Sequence, residues 1–450
     1  MVGVFASWRT QRWITLAFGC VLMLCAGTVY LLPAWSDGLR AQAHLSISSF
    51  NTVATGLNAG TWLGVIGGVL YDHVGPKPTG IAAGLLLFLG YFGIKLAVQH
   101  YAKTWLITVL ALVVGQGSGF FYTVALNTSV KNFGPNSRGK VVGLLVCFFG
   151  LCSGIFTVFL KGFFPSANSG HLPQFLLFLA LVTSCTGLIA TFFQRLLFVA
   201  DKTSLPPSMH PLTPADATPP PAEPLRITIA ESENKIEEAD CISCRLTLSL
   251  MFRASRFRSG GTPFIYLKFS VCNTFGRLFS GHISDTFARR LPRPAFLVMA
   301  ALLMAIVQVI FAFASVNLLY LGAVLLGLAY GSFFCLVPTL TAEAFGVVHF
   351  GANYGLQGLA PAAGSELLST LMAGGMADDR QRHHFVNVTS DHGHDHALHC
   401  LGPACYRVSL LVNAGLCVFA ALIAVVITIR QRTGRADTLL KHSHSAIKQS

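Results

Sequence analysis

Long apolar runs separated by short polar, mostly basic turns dominate this chain. A helix needs about 20 mostly apolar residues to cross a hydrocarbon core roughly 30 Å thick. By that measure the pattern predicts six membrane-spanning helices, at 13–35, 50–71, 79–98, 105–127, 141–164 and 175–193. Five more follow at 264–283, 295–314, 317–339, 353–375 and 408–429. The first run is too long for the core of a signal peptide and lacks a small-residue cleavage site, so it is read as a helix.

Between the two groups the pattern changes. Pro219–Pro221, the acidic run 231–240 and scattered Ser and Thr cannot bury enough apolar surface to order themselves, which predicts a disordered linker. Cys241 and Cys244 form a lone CxxC; without a second pair they read as two ordinary thiols rather than a zinc site. The organisation expected is a six-helix half at 1–193, a cytosolic linker with an aberrant helical region at 194–263, a second half at 264–429 and a cytosolic tail at 430–450.

Composition agrees. Hydrophobic residues make up 53% of the 450 and charged residues only 11%, against about a quarter charged in soluble domains. The net charge of +13 would suit a polyanion if it were clustered, but the cations lie between apolar runs, which is how membrane proteins are oriented. A nucleic-acid partner is not expected; a lipid bilayer is. With both termini in the cytosol, the short inner segments hold Arg9, Arg12, Lys77, Lys131, Arg138, Lys140, Arg289, Arg290, Arg293, Arg430, Arg432 and Arg435. That sidedness requires an even number of spans, and the pattern yields eleven. The conflict lies at 241–263, where Arg245 and Arg253 interrupt a short apolar run, each costing about 2.5–3.5 kcal/mol at a helix centre. The expectation is a seventh helix missing or degraded in this sequence.

The two groups also repeat each other. Gly115, Gly119, Phe121, Phe133, Gly134, Gly139, Gly143 and Leu144 recur as Gly327, Gly331, Phe333, Phe345, Gly346, Gly351, Gly355 and Leu356, all at one spacing (327 − 115 = 212). A duplicated unit in one orientation predicts parallel repeats about an axis along the membrane normal, the layout of a carrier that rocks about a central site. A second element repeats too. Gly68, Asp72, Gly75 and Lys77 are matched by Gly281, Asp285, Arg289 and Arg290 (285 − 72 = 213). The glycine permits close helix contact, while the aspartate is placed to face a neighbouring helix N-terminus with loop cations holding it. Such a latch would favour one access state and release in the other.

These loops resemble the signature of the major facilitator superfamily, and other motifs narrow the likeness. Arg12-Trp13, then Cys25-Ala-Gly-Thr-Val-Tyr30, and Asn132-Phe133-Gly-Pro-Asn-Ser137-Arg138-Gly139 leading to Gly143 and Gly150 are similar to the nodulin-like branch. So are Asn273-Thr-Phe-Gly276-Arg277, Gly327-Leu-Ala-Tyr330-Gly331, Phe345 to Gly351, Pro361 to Ser365, and Cys400-Leu-Gly402-Pro-Ala-Cys405. The resemblance implies an all-α polytopic membrane protein with two six-helix parallel repeats, here about 11 spans. It implies a carrier of small solutes, sometimes likened to monocarboxylate transporters. The branch often has a Lys in the fifth helix, near where this chain has Cys147, so a substrate role tied to that Lys is not carried over.

Ionisable groups inside a span are costly and are candidates for function. Glu366, five residues after Pro361 in the tenth predicted run, is a candidate proton-coupling or cation-coordinating group. Arg277 lies six residues from the predicted inner end of its helix at 283; it either binds an anionic substrate or reaches the interface to steady the Asp285 loop. Asn58, Asn127, Gln308 and Asn413 are polar candidates for a cavity lining. In the loop before the last helix, six histidines from His383 to His399 suit a solvated outer loop better than a metal site, so no metal is expected. Asn387-Val-Thr389 is a glycosylation acceptor if that loop is lumenal, and Cys400 and Cys405 are placed for a small disulfide there.

No nucleophile–base constellation, phosphate loop or dinucleotide fingerprint is present, so neither an enzyme nor a bound cofactor is expected. The reading is a monomeric secondary transporter of a small, anionic organic solute, working by alternating access with a proton as candidate coupling ion. The alternatives are a non-transporting membrane sensor or scaffold and a metal-ion carrier.

Overall fold

The computed structural model describes residues 8–163, 171–197, 262–288, 290–313, 316–360 and 407–449. Every regular element among them is helical. In chain order these are α1 (Trp8–Ala26), a 3₁₀ turn (Gly27–Leu31), α2 (Leu32–Gln42), α3 (Ile47–Trp62), α4 (Gly64–Val74), α5 (Pro76–Gln99), α6 (Thr104–Asn132), α7 (Arg138–Phe163) and α8 (Leu172–Phe192). Then come α9 (Thr262–Phe287), α10 (Pro294–Phe313), α11 (Val316–Ala344), α12 (Phe350–Gln357) and α13 (Arg407–Gln449). Glu366, Arg289, Asn387, Cys400, Cys405, the Cys241–Cys244 pair and the His-rich loop lie outside the described residues, as does most of the linker.

Nine of the described helical stretches are long and apolar enough to span a bilayer. α9 does not meet that measure, and the tenth predicted run leaves the described residues after Ala360, so the count of eleven is neither reached nor excluded. Several ends differ from the sequence pattern. The run predicted at 50–71 is two helices, α3 and α4, meeting at Leu63. The last helix continues well past Ile429, where a tail was expected, because Arg430, Arg432 and Arg435 end an apolar run without breaking a helix. These residue types have good helix propensity.

The chain forms two compact units: Met1–Glu231 with Thr341–Leu359, and Ser232–Leu340 with Ala360–Ser450. In the first, α5 lies against both α6 and α8. Glycine makes that packing possible. A Cβ at Gly90 would come within 2.9 Å of the Val114 amide nitrogen, and one at Gly117 within 2.8 Å of the Leu87 nitrogen. Without large apolar transfer energy to separate faces in lipid, close backbone approach at small residues decides which side of a helix turns inward. The complementary faces carry exposed Leu85, Leu89 and Ile189, and in the second unit Met299, Ile306 and Leu422.

The internal repeat is structural. α6 and α11 are each 29 residues long and both their ends are offset by 212 (316 − 104 and 344 − 132). The contacts repeat as well. A side chain on Gly115 would collide with Leu57, Gly60 and Thr61 of α3, and one on Gly327 with Phe269, Cys272 and Asn273 of α9, the same three positions at the same offset.

Candidate functional site: a carboxylate latch at the end of a helix

The sequence of α4 places Gly64, Gly68 and Asp72 four residues apart, on one stripe of the helix surface. That stripe meets a matching stripe on α12, Gly351 and Gly355. Cβ atoms there would lie 2.7 Å from the Gly68 carbonyl oxygen and 2.6 Å from the Val65 Cα respectively. The two backbones are in contact, and any larger residue would push them apart.

The seam ends on Asp72. Its Oδ2 accepts the Ala352 N–H at 2.8 Å, and its Oδ1 receives the Lys131 ammonium at 3.0 Å. Ala352 is the third residue of α12, whose own N-cap residue, His349, makes no side-chain cap. A carboxylate from another helix therefore supplies the acceptor that the first turn lacks, and its charge lies at the positive end of the helix dipole. The expectation that the aspartate faces a neighbouring helix N-terminus agrees with this geometry. The source of the cation differs. Lys77 is exposed on the first turn of α5, whereas Lys131 comes from the last turn of α6 and also lies over the Tyr71 ring, 4.8 Å from its centre. Tyr71 in turn bonds Thr128 at 2.9 Å, so the cation stands on a fixed aromatic face.

Gly75 closes the turn after α4 with φ +83°, a left-handed conformation that favours glycine. No atom lies within 4 Å of its missing side chain, so dihedral strain and not space selects the residue. Asn127 is buried beside the latch, and a Cβ on Gly351 would lie 2.6 Å from its Nδ2. Neither of its side-chain polar atoms has a hydrogen-bond partner among the described residues.

The second aspartate is held differently. Asp285 accepts from the Arg293 guanidinium at 2.8 Å, with both side chains almost fully buried. Arg290 is exposed, and Arg289 lies outside the described residues. Gly281 is buried on the same helix. Arg277 proves deeper than the sequence implied. α9 runs on to Phe287, ten residues beyond it (287 − 277 = 10), roughly 15 Å at 1.5 Å per residue. Arg277 is 1% exposed; its Nε donates to Asn273 at 3.1 Å and its guanidinium lies 5.1 Å from the centre of the Phe334 ring. Sequence reasoning missed Lys131 and Arg293 as pairing partners, and their only advance signal was a position in an inner basic segment.

Comparison with known proteins supplies the wider frame. Residues 12–206 match the Nodulin-like family model and residues 257–448 the Major Facilitator Superfamily model. A probable transporter MCH1 of Gibberella zeae is 24% identical over 86% of this chain and 84% of its own length. An uncharacterized membrane protein of Saccharomyces cerevisiae is 26% identical over 39% of this chain, which spans 31% of that relative's length. In fold, the E. coli fucose:proton symporter FucP matches over 92% of this chain and 99% of its own, with TM-score 0.62 and 14% identity. The human organic anion transporter MFSD10 matches over 93% and 100%, with TM-score 0.61 and 14% identity. The apolar helices, the repeated glycine contacts and these matches agree: the chain is a multi-pass membrane transporter of the major facilitator superfamily, of the nodulin-like kind.

Proposed function

We propose that this transporter moves a small anionic organic solute by alternating access, with a proton as the coupled ion and both termini in the cytosol. The observation that carries the reading is the Asp72 contact. A charged side chain that caps another helix across a glycine seam holds one packing arrangement, and among the described residues it is joined by two polar contacts. A contact of that size is worth a few kcal/mol, the scale on which two conformations exchange.

Arg277 supports an anion as cargo. Its guanidinium is withdrawn from water and braced by Asn273 and Phe334, which orients the planar fork that carboxylates bind in pairs. Glu366 supports the proton, because an ionisable residue within an apolar run is costly to keep there and is a candidate for function. The names borne by the two solved relatives, an organic anion transporter and a proton symporter, are in line with both points.

The test is uptake into liposomes holding the purified chain, with labelled mono- and dicarboxylates and neutral sugars compared, with and without an inward proton gradient. Saturable carboxylate uptake that rises with the gradient is expected. Uptake confined to the sugars would overturn the anionic cargo, and none above protein-free liposomes would overturn transport.

A further inference from the structure

The helix that carries the latch does not join smoothly to the one before it. α3 stops at Trp62 and α4 starts at Gly64, with Leu63 between them at ψ +41°. A break at this point leaves carbonyls without their usual amide partners, and at membrane depth they need others. Leu63 O takes the Ile66 N–H at 3.4 Å, and one side chain on another helix reaches both Leu63 O and Gly60 O. Gln116, buried on α6, donates its Nε2 to Gly60 O at 2.8 Å and to Leu63 O at 3.3 Å. Two positions along the same helix, Ser118 donates to Ala26 O at 2.6 Å, where α1 gives way to its 3₁₀ turn. α6 thus serves as a strut whose polar side chains hold two helix interruptions.

The repeat provides an internal control. At the positions equivalent to Gln116 and Ser118 the second half has Leu328 and Tyr330 (116 + 212 and 118 + 212). There the equivalent helix, α9, runs unbroken from Thr262 to Phe287. The register records the same event. Before the break the two halves align at 212, as Thr61 and Asn273 show; after it they align at 213, as Asp72 and Asp285 show. The first half is one residue shorter across the interruption. One residue of α-helix is 100° of rotation, so without a break the end of α4 would face elsewhere. With the break in place, Asp72 reaches Lys131 and the Ala352 N–H.

We infer that Gln116 is a positioning residue of the transporter: by holding the break at Leu63 it turns Asp72 toward the first turn of α12. The side chain touches neither Asp72 nor α12 in the hydrogen-bond network; it acts through the direction of α4. The geometric claim stands apart from cargo and coupling, and only its bearing on transport rests on the function proposed above.

Hydrogen–deuterium exchange of the full chain in lipid nanodiscs tests it without any solute. In Gln116→Leu, the residue of the second half, amides of 60–67 should exchange several-fold more slowly as the helix closes. Those of 350–354 should exchange several-fold faster as the latch loses its aim. Asp72→Ala should speed 350–354 alone. If Gln116→Leu leaves 350–354 at the native rate, or speeds 60–67, the side chain only fills space and the inference fails. Should that variant not fold, Gln116→Ser, too short to reach both carbonyls, is read the same way: faster exchange at 350–354 supports the inference and a native rate there overturns it. Failed uptake in liposomes would leave these outcomes unaffected, so the two readings fail separately.

Discussion

Asp72 Oδ2 lies 2.8 Å from the amide nitrogen of Ala352, 280 residues away in the chain. One carboxylate thereby ends a glycine seam, neutralises Lys131 and caps a helix.

Removing that acceptor should loosen the first turn of α12. For Asp72→Ala we expect a loss of about 1–2 kcal/mol, the range of a helix cap, read as a roughly 5- to 30-fold rise in exchange at Ala352. Asp72→Asn keeps an acceptor oxygen without the charge and should fall between this variant and the native chain.

The seam predicts a sharp contrast between glycines. A Cβ on Gly351 would lie 2.6 Å from Asn127 Nδ2, 2.7 Å from Gly68 O and 2.9 Å from Asp72 Oδ2. Gly351→Ala should cost about 1–3 kcal/mol, as overpacking does. At Gly415 on α13 no atom lies within 4 Å, so Gly415→Ala should be neutral or stabilising by up to about 1 kcal/mol. Thermal melts in detergent compare the two.

Asp285 and Arg293 form a buried pair, so removing one partner takes away a charge contact at 2.8 Å. Asp285→Leu alone should destabilise by about 3–5 kcal/mol, whereas replacing both by apolar residues of similar volume should cost much less. A double-mutant cycle on melting temperature separates the pair from its surroundings. Additive losses would show that the two charges are not coupled.

If Glu366 carries the coupled proton, Glu366→Gln should abolish the pH dependence of uptake while leaving folding intact. The measurement is the pH profile of liposome uptake. A native profile in the variant removes Glu366 from the coupling step.

Sidedness is open to a simple assay. If both termini lie in the cytosol, as proposed, the loop bearing Asn387 is lumenal, and expression in a secretory host should add a glycan that Asn387→Gln abolishes. Glycosidase-sensitive mobility on a gel reports it.

Much of this molecule was legible in its sequence for physical reasons. A span must be long and apolar, so α1, α5, α6, α8, α10, α11 and α13 stood out by length, with ends off by a few residues. The repeat was legible because glycines that touch a neighbouring backbone leave little room for substitution: Gly115 and Gly327 meet equivalent atoms. Less visible was where helices bend. Hydropathy is continuous from 50 to 71, so nothing in it marks Leu63, and the break depends on a glutamine on another helix. Arg277 was placed too near its helix end because Ser284, Asp285 and Thr286 end the apolar run while the hydrogen-bonded helix continues.

The sequence by itself determined that the chain is a bundle of membrane helices built twice, because apolar length and small-residue spacing are properties of each segment alone. Only the tertiary structure decided which cation meets each aspartate and which helix end Asp72 caps. Those choices depend on the rotation of α4 about its axis. A one-residue difference in register, absorbed at Leu63 and held by Gln116, sets that rotation, and no local stretch of sequence records it.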